Sequence, residues 1–404
     1  MNKTERLGGT YYPYVPDMLC EFELSLNPTC ANAVAQAQQA LSDLNTQGSL
    51  TDTEPLARLL LRAEAVSSSR IEGLEMPASK LMEYEELDRL GVDHRIDATE
   101  AQVLGNLHAM ISEVDRIASK DSLSLQDIQH LHASLLRGTR YEKLGGVIRT
   151  EQNWIGGNRV NPVGAAYVPP EPAEVPLLLE DLVRFINESQ LPPIATAAVA
   201  HAQFETIHPF ADGNGRTGRA LIHVILRWAG LSRTTIPPVS PLLATDKDRY
   251  VANLSAYRTD DDGDREYAMN EWVEYFANVL TLSCHRAAEF EQEIQRIRSS
   301  WNDIAHFRKG SAGYDLMNLL PGTPVISIKT AQSLTGKSYP AARSAVLALQ
   351  EAGILRQNAK NRKSGIYVAD DILQAFNLYE RALATSSGDT AVEKPQRPVP
   401  QRRR

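Results

Sequence analysis

Twelve residues, His208–Arg219, reading HPFADGNGRTGR, leave this chain little freedom in its local structure. They hold one imidazole, one carboxylate, one amide, two guanidiniums and three glycines. Directly after them Leu221, Val224, Ile225 and Trp228 fall at i, i+3, i+4 and i+7, the spacing of one helix face. A Gly-Asn-Gly turn opening onto a helix start leaves several backbone N–H groups unpaired and aimed at one point, and the positive end of the helix adds to them. Such a place suits a phosphate.

The rest of the chain is ordinary for a soluble globular protein. Its 404 residues, 43% hydrophobic and 23% charged, allow a large core and two or three domains. No apolar run reaches membrane-spanning length and the opening MNKTERLGGTYYPYVPD lacks a signal-peptide core, so a cytoplasmic protein away from membranes is expected. Cys20, Cys30 and Cys284 have no metal-ligand or redox spacing. Charge is uneven: residues 301–404 carry 15 Lys/Arg against 8 Asp/Glu, or +7, so a net charge of −8 leaves −15 for the remainder. A basic last quarter suits an acidic partner or solubilises an exposed module.

Helical patterns predict segments at 32–44, 54–72, 77–90, 97–119 and 125–137, with Gly73 placed to end the second and Ser124 to start the last. From Gly145 the text changes to GGVIRTEQNWIGGNRVNPVGAAYVPP, which suits a hairpin or irregular β segment. Helices are expected again at 171–188, 193–207 and 246–257, then over 266–298 after an acidic loop, TDDDGDRE. Asp260, Asp262, Asp264 and Glu271 approach calcium-loop spacing, but Arg265 stands where the turn needs glycine, so a solvated loop is expected. Beyond 310, helical IKTAQSL, the turn TGKS, helical YPAARSAVLALQEA and a strand–basic turn–strand at ILRQNAKNRKSGIYV read as a winged helix-turn-helix. The tail from about 385 is too polar and proline-rich to pack.

HPFADGNGRTGR resembles the defining motif of the Fic (Fido) family. SSSRIEG at 67–73 is similar to that family's inhibitory helix motif, and VIRTEQNWIGG with AAYVPP to its flap. The resemblance, to an adenylyltransferase of class II-like layout, implies a mainly α fold: a Fic helical core with a small β-hairpin flap, followed by a winged-helix domain. It divides the chain into an N-terminal arm and helical region, 1–95, with the inhibitory helix at about 54–73; a core, 96–300, with the flap at about 145–170 and the motif at 208–219; a winged-helix domain, 301–384; and a disordered tail, 385–404.

The resemblance also assigns roles. His208 would be the general base that takes a proton from a Tyr, Thr or Ser hydroxyl of a protein target as it attacks the α-phosphorus of ATP. Asp212 would hold Mg²⁺. Gly213, Asn214 and Gly215 would cradle the phosphates, with Arg216 and Arg219 neutralising their charge. Phe210 would anchor the loop in the core. Ser68, Glu72 and Gly73 would form the inhibitory end, Glu72 drawing Arg219 away from the γ-phosphate. The implied activity is an autoinhibited protein adenylyltransferase acting on a target, which includes the chain itself. Removal of AMP, or transfer of another nucleotide or phosphate group, would use the same residues. Many relatives assemble, so the resemblance admits a homo-oligomer.

A reading of a different class is a DNA-binding regulator acting through residues 310–370. Lys337 and Arg343 lie near the recognition helix, and Arg356, Lys360, Arg362 and Lys363 around the wing. Its rival is a module for dimerisation or protein recognition. His130, His132, His201 and His223 have no ligand spacing, and Trp154 and Tyr167 are expected to pack.

Overall fold

The computed structural model describes residues 9–21, 23–46, 50–92, 96–158, 160–232, 235–259, 262–358 and 365–383. The tail expected to be disordered and the wing residues Lys360, Arg362 and Lys363 lie outside them. The first five helices are α1 (Pro28–Thr46), α2 (Leu50–Ile71), α3 (Ala78–Arg89), α4 (Ala98–Ala118) and α5 (Leu125–Leu136). Their ends have local causes. Asp97 with Glu100 closes a capping box on α4, and Ser124 with Asp127 does the same for α5. Gly73, at φ 78°, turns the chain away after α2.

Residues 145–170 take the irregular form of the two expected. Among the described residues only single bridges form, Ile148 with Phe210 and Ile155 with Tyr167, and Asn158 and Asn161 hold turns in which side-chain amides replace a ladder. After this flap come α6 (Val175–Glu188), α7 (Pro193–Ile207), α8 (Asn214–Trp228), α9 (Ser240–Thr245), α10 (Lys247–Tyr257) and α11 (Asp262–Ile304). The acidic stretch is therefore not a loop throughout: from Asp262 it is helical, as the start of α11. There Arg265 pairs with Asp17 at 2.7 Å.

α7 is the centre of the core, buried from Ile194 to Ile207. Its alanines let α6, α8 and α11 approach closely. Trp272 of α11 is 1% exposed and donates its indole N–H to Ala198 O at 2.7 Å, which keeps the polar atom of a large buried ring satisfied. Where α4 crosses α5, a Cβ on Gly105 would lie 2.3 Å from the Leu135 carbonyl oxygen. Gly105→Ala is thus expected to destabilise the chain by about 1–3 kcal/mol despite alanine's better helix propensity, read as a lowered midpoint in urea.

The remainder contains α12 (Ala312–Leu319), β1 (Val325–Ser327), α13 (Ile328–Thr335), α14 (Tyr339–Glu351), β2 (Arg356–Gln357), β3 (Ile366–Val368) and α15 (Asp370–Leu383). The strands form one antiparallel sheet in the order β1-β3-β2, with Val368 opposite both Val325 and Arg356. The fully buried carboxylate of Glu86 on α3 accepts from Ser327 N at 2.8 Å and Thr330 Oγ1 at 2.6 Å, and Arg62 on α2 donates to Gly322 O at 3.1 Å. This module is therefore fastened to α2 and α3. Among the described residues no helix is long and apolar enough to cross a membrane.

Candidate active site

His208 ends α7 in the left-handed region, at φ 49° and ψ 59°, the one such non-glycine among the described residues. Its N–H reaches Phe204 O at 2.9 Å, while its carbonyl accepts from Arg149 Nε at 2.9 Å and Asn153 Nδ2 at 3.3 Å. These bonds, with the burial of Phe210, offset the conformational cost and aim the imidazole into the site. Asn214 closes the loop on itself: its side chain accepts from Phe210 N at 2.8 Å and donates to Phe210 O at 2.7 Å. His132 braces it from α5, stacked on Phe210 at 3.7 Å between ring centres. Nδ1 of His132 accepts from Gly146 N at 2.9 Å, so its Nε2 carries the proton and donates to Asp212 O at 2.8 Å. One neutral ring thus joins α5, the flap and the motif loop. Burial pushes its pKa down to about 4.

α8 begins inside the motif. Gly213, at φ 83°, is its N-cap without a side-chain cap, so the first-turn N–H groups are left for another acceptor. That seat holds a carboxylate: a Cβ on Gly215 would lie 2.0 Å from Glu72 Oε1 and 2.8 Å from Arg219 Nη1. Glu72 stands where a phosphate oxygen fits. Arg219 donates from Nη2 to Glu72 Oε1 at 2.8 Å and to Ser68 O at 2.7 Å, and from Nε to Ser68 Oγ at 2.9 Å. Lys247 Nζ donates to Ile71 O at 2.6 Å, holding the end of α2 in place.

Burial works against the Glu72 carboxylate, but Arg219, and after it Arg216 and His208, hold its pKa below the usual range. Arg219 is held in its charged form by Glu72 against the opposing effect of its own burial. Arg216, 1% exposed, gives one N–H to Gln102 Oε1 at 3.1 Å, while its Nε and Nη1 are buried without a partner. Two unused guanidinium donors beside a helix N-terminus are the strongest local demand for an anion. His208 is kept neutral: burial first, then Arg258, pushes its pKa down to about 4.

Asp212 is 40% exposed, with one carboxylate oxygen accepting from Gly213 N at 2.8 Å and lying 3.9 Å from Arg216 Nη2. No cluster of three or more His, Cys, Asp or Glu able to hold a metal occurs among the described residues. A single half-exposed carboxylate beside an anion seat fits Mg²⁺, which takes one or two carboxylates and completes its shell with phosphate oxygens and water.

Of the ten residues proposed from sequence, Ser68, Glu72, His208, Asp212, Gly213, Asn214, Gly215, Arg216 and Arg219 lie at or against the start of α8 and the turn that enters it, whereas Gly73 only ends α2. Those missed are the braces: His132, Arg149, Asn153, Gln102 and Lys247. Arg149 and Asn153 lie in the flap-like stretch VIRTEQNWIGG, which carried no residue roles, while His132, Gln102 and Lys247 lie in no motif quoted from the sequence. The basic module residues are less available than their sequence suggests. Lys337 pairs with Asp315 at 3.3 Å and Arg356 binds Asp370 through two nitrogens, leaving Arg343 exposed on α14.

Comparison with known proteins bears on this arrangement. Residues 122–226 match the model of the Fic/DOC family and residues 31–112 that of the Fic/DOC family N-terminal region. The chain is 34% identical over 152 residues to a protein adenylyltransferase Fic of Drosophila sechellia, covering 37% of this chain and 29% of that one. It is 31% identical over 193 residues to the protein adenylyltransferase fic-1 of Caenorhabditis elegans, covering 46% and 32%. The chain thus spans about a third of the length of these curated relatives. A crystal structure of a Fic family protein from Desulfovibrio desulfuricans shares the fold over 89% of this chain and 98% of its own, with a TM-score of 0.52 and 19% identity. A Fic domain containing signaling protein from Bacteroides thetaiotaomicron does so over 64% and 97%, at 0.51 and 19%. The N-terminal region and the motif-bearing core of the chain, residues 31–112 and 122–226, are those of the Fic/DOC family.

Proposed function

We propose that this chain is a protein adenylyltransferase that rests in an inhibited state, moving AMP from ATP to a Tyr, Thr or Ser hydroxyl of a protein. The observation that carries this reading is the anion seat at Gly215, framed by Arg216 and Arg219 and filled by the Glu72 carboxylate. The names of the curated relatives support AMP as the group transferred.

The first-turn amides of α8 hold phosphate oxygens, Gly215 letting them approach the backbone. Arg216 and Arg219 meet the charge that grows as pyrophosphate departs. His208, neutral at physiological pH, takes the proton of the attacking hydroxyl. Asp212 would hold Mg²⁺, which would supply positive charge to offset that of the phosphates. Glu72 blocks this by lying in the seat and occupying Arg219.

The test is transfer from ATP labelled at either the α or the γ phosphate, using the Glu72→Gly chain with Mg²⁺ and a cell lysate. Retention of the α label on protein is expected; retention of the γ label alone would refute AMP transfer. Gly215→Ala in that background is expected to lower transfer by roughly a hundredfold, because its methyl group enters the seat, and the loss should show as weaker ATP binding by calorimetry.

A further inference from the structure

A second buried carboxyl lies beside His208. Glu205 is one turn earlier on α7, 7% exposed, with Oε2 3.9 Å from His208 Nδ1. Its other oxygen and His208 Nδ1 are both buried without a hydrogen-bond partner. The room for this carboxyl comes from Gly218 on α8, where a Cβ would lie 2.9 Å from Glu205 Oε1. Two unpaired polar groups of matching character, about 1 Å beyond bonding distance, form a pair that a small rotation completes.

We infer that Glu205 is a positioning residue for His208: its carboxylate accepts the Nδ1 proton, so that Nε2 carries the lone pair that receives the proton of the target hydroxyl. This rests on the reading of His208 as the base. In the step served, the hydroxyl oxygen bonds to the α-phosphorus and the bond from that phosphorus to the α,β-bridging oxygen breaks. Pyrophosphate leaves with the electron pair. The hydroxyl proton passes to Nε2 and later to solvent, and Glu205 balances the imidazolium charge meanwhile. A neutral, desolvated imidazole is a weak base alone, and a carboxylate behind it both selects the tautomer and stabilises the charged form.

The groups facing Glu205 decide when it ionises. His201 and His208 share its helix, Arg219 faces it from α8, Arg258 follows α10, and Glu72 faces it from the end of α2; Tyr250 and Tyr167 add no charge near neutrality. Burial pushes its pKa up to about 7, opposed by Arg219 and Arg258 and aided by Glu72. Departure of Glu72 removes one of the causes holding Glu205 protonated, so release of the seat and arming of the base go together. In Glu72→Gly the acidic limb of the rate profile therefore lies below pH 7, and activity falls as pH drops through it.

The test has two arms on the full-length chain. The first needs no turnover: ¹⁵N spectra of the histidine rings above pH 7 in wild type, Glu205→Gln and Glu205→Met, the last guarding against a misfolded amide variant. The proton is expected on Nδ1 of His208 in wild type and redistributed toward Nε2 in the variants. An unchanged His208 ring, or a change confined to His201, overturns the inference. The second arm adds the same variants to Glu72→Gly. kcat is expected to fall roughly 10- to 100-fold with KM for ATP unchanged, and the limb below pH 7 to vanish. An unaltered limb overturns the inference. If Glu72→Gly transfers no AMP at all, the proposed function fails while the ring spectra still decide the pairing.

Discussion

Glu72→Gly is expected to raise AMP transfer by roughly two to three orders of magnitude over the wild-type chain. The carboxylate does two things that a glycine cannot. It fills the space above Gly215, and it takes the guanidinium of Arg219 that, in the proposed reaction, would meet the departing phosphates. Restoring both to ATP corresponds to roughly 3–4 kcal/mol of transition-state stabilisation. The substitution leaves α2 intact, because Glu72 follows the last helical residue and the helix end remains held through Lys247 and Ile71 O. Initial rates with α-labelled ATP, together with an unchanged thermal midpoint, would check this. Equal rates for wild type and variant would sink the inhibitory role.

His208→Ala, made in the Glu72→Gly background, is expected to lower transfer by roughly 10²–10⁴-fold, because the attacking hydroxyl then loses its proton unaided. The position is also a conformational one. At φ 49° a non-glycine residue is mildly strained, so alanine gives no relief, but the three backbone bonds of His208 need no side chain and keep the loop in place. ATP should therefore bind His208→Ala as it binds the parent, measured by calorimetry, while single-turnover transfer collapses. Parallel losses of binding and rate would show that the ring holds the loop and is not the base.

Legibility in the sequence differed from place to place for physical reasons. α4 and α5 start where capping residues sit three positions from an acidic partner, and α2 stops at a glycine with positive φ. Those are local interactions, and local text encodes them. The charges of the acidic stretch before α11 suggest a solvated loop, whereas from Asp262 it is helical and its Arg265 pairs with Asp17, some 250 residues earlier. In the C-terminal module, α12, β1 and α15 had no expectation of their own, since short segments take their conformation from the neighbours they pack on.

The twelve motif residues by themselves pointed to the family and to an anion seat at a helix start, because the contacts that define a loop-to-helix turn lie within a few residues of one another. Tertiary structure alone decided the state of that seat. That Glu72 lies over Gly215, that His132 ties Asp212 to the flap, and that Gly218 makes room for Glu205 beside His208 all depend on helices brought together from distant parts of the chain. Burial and distance set whether a charge is paired, neutral or unsatisfied, and neither quantity exists until the chain has packed.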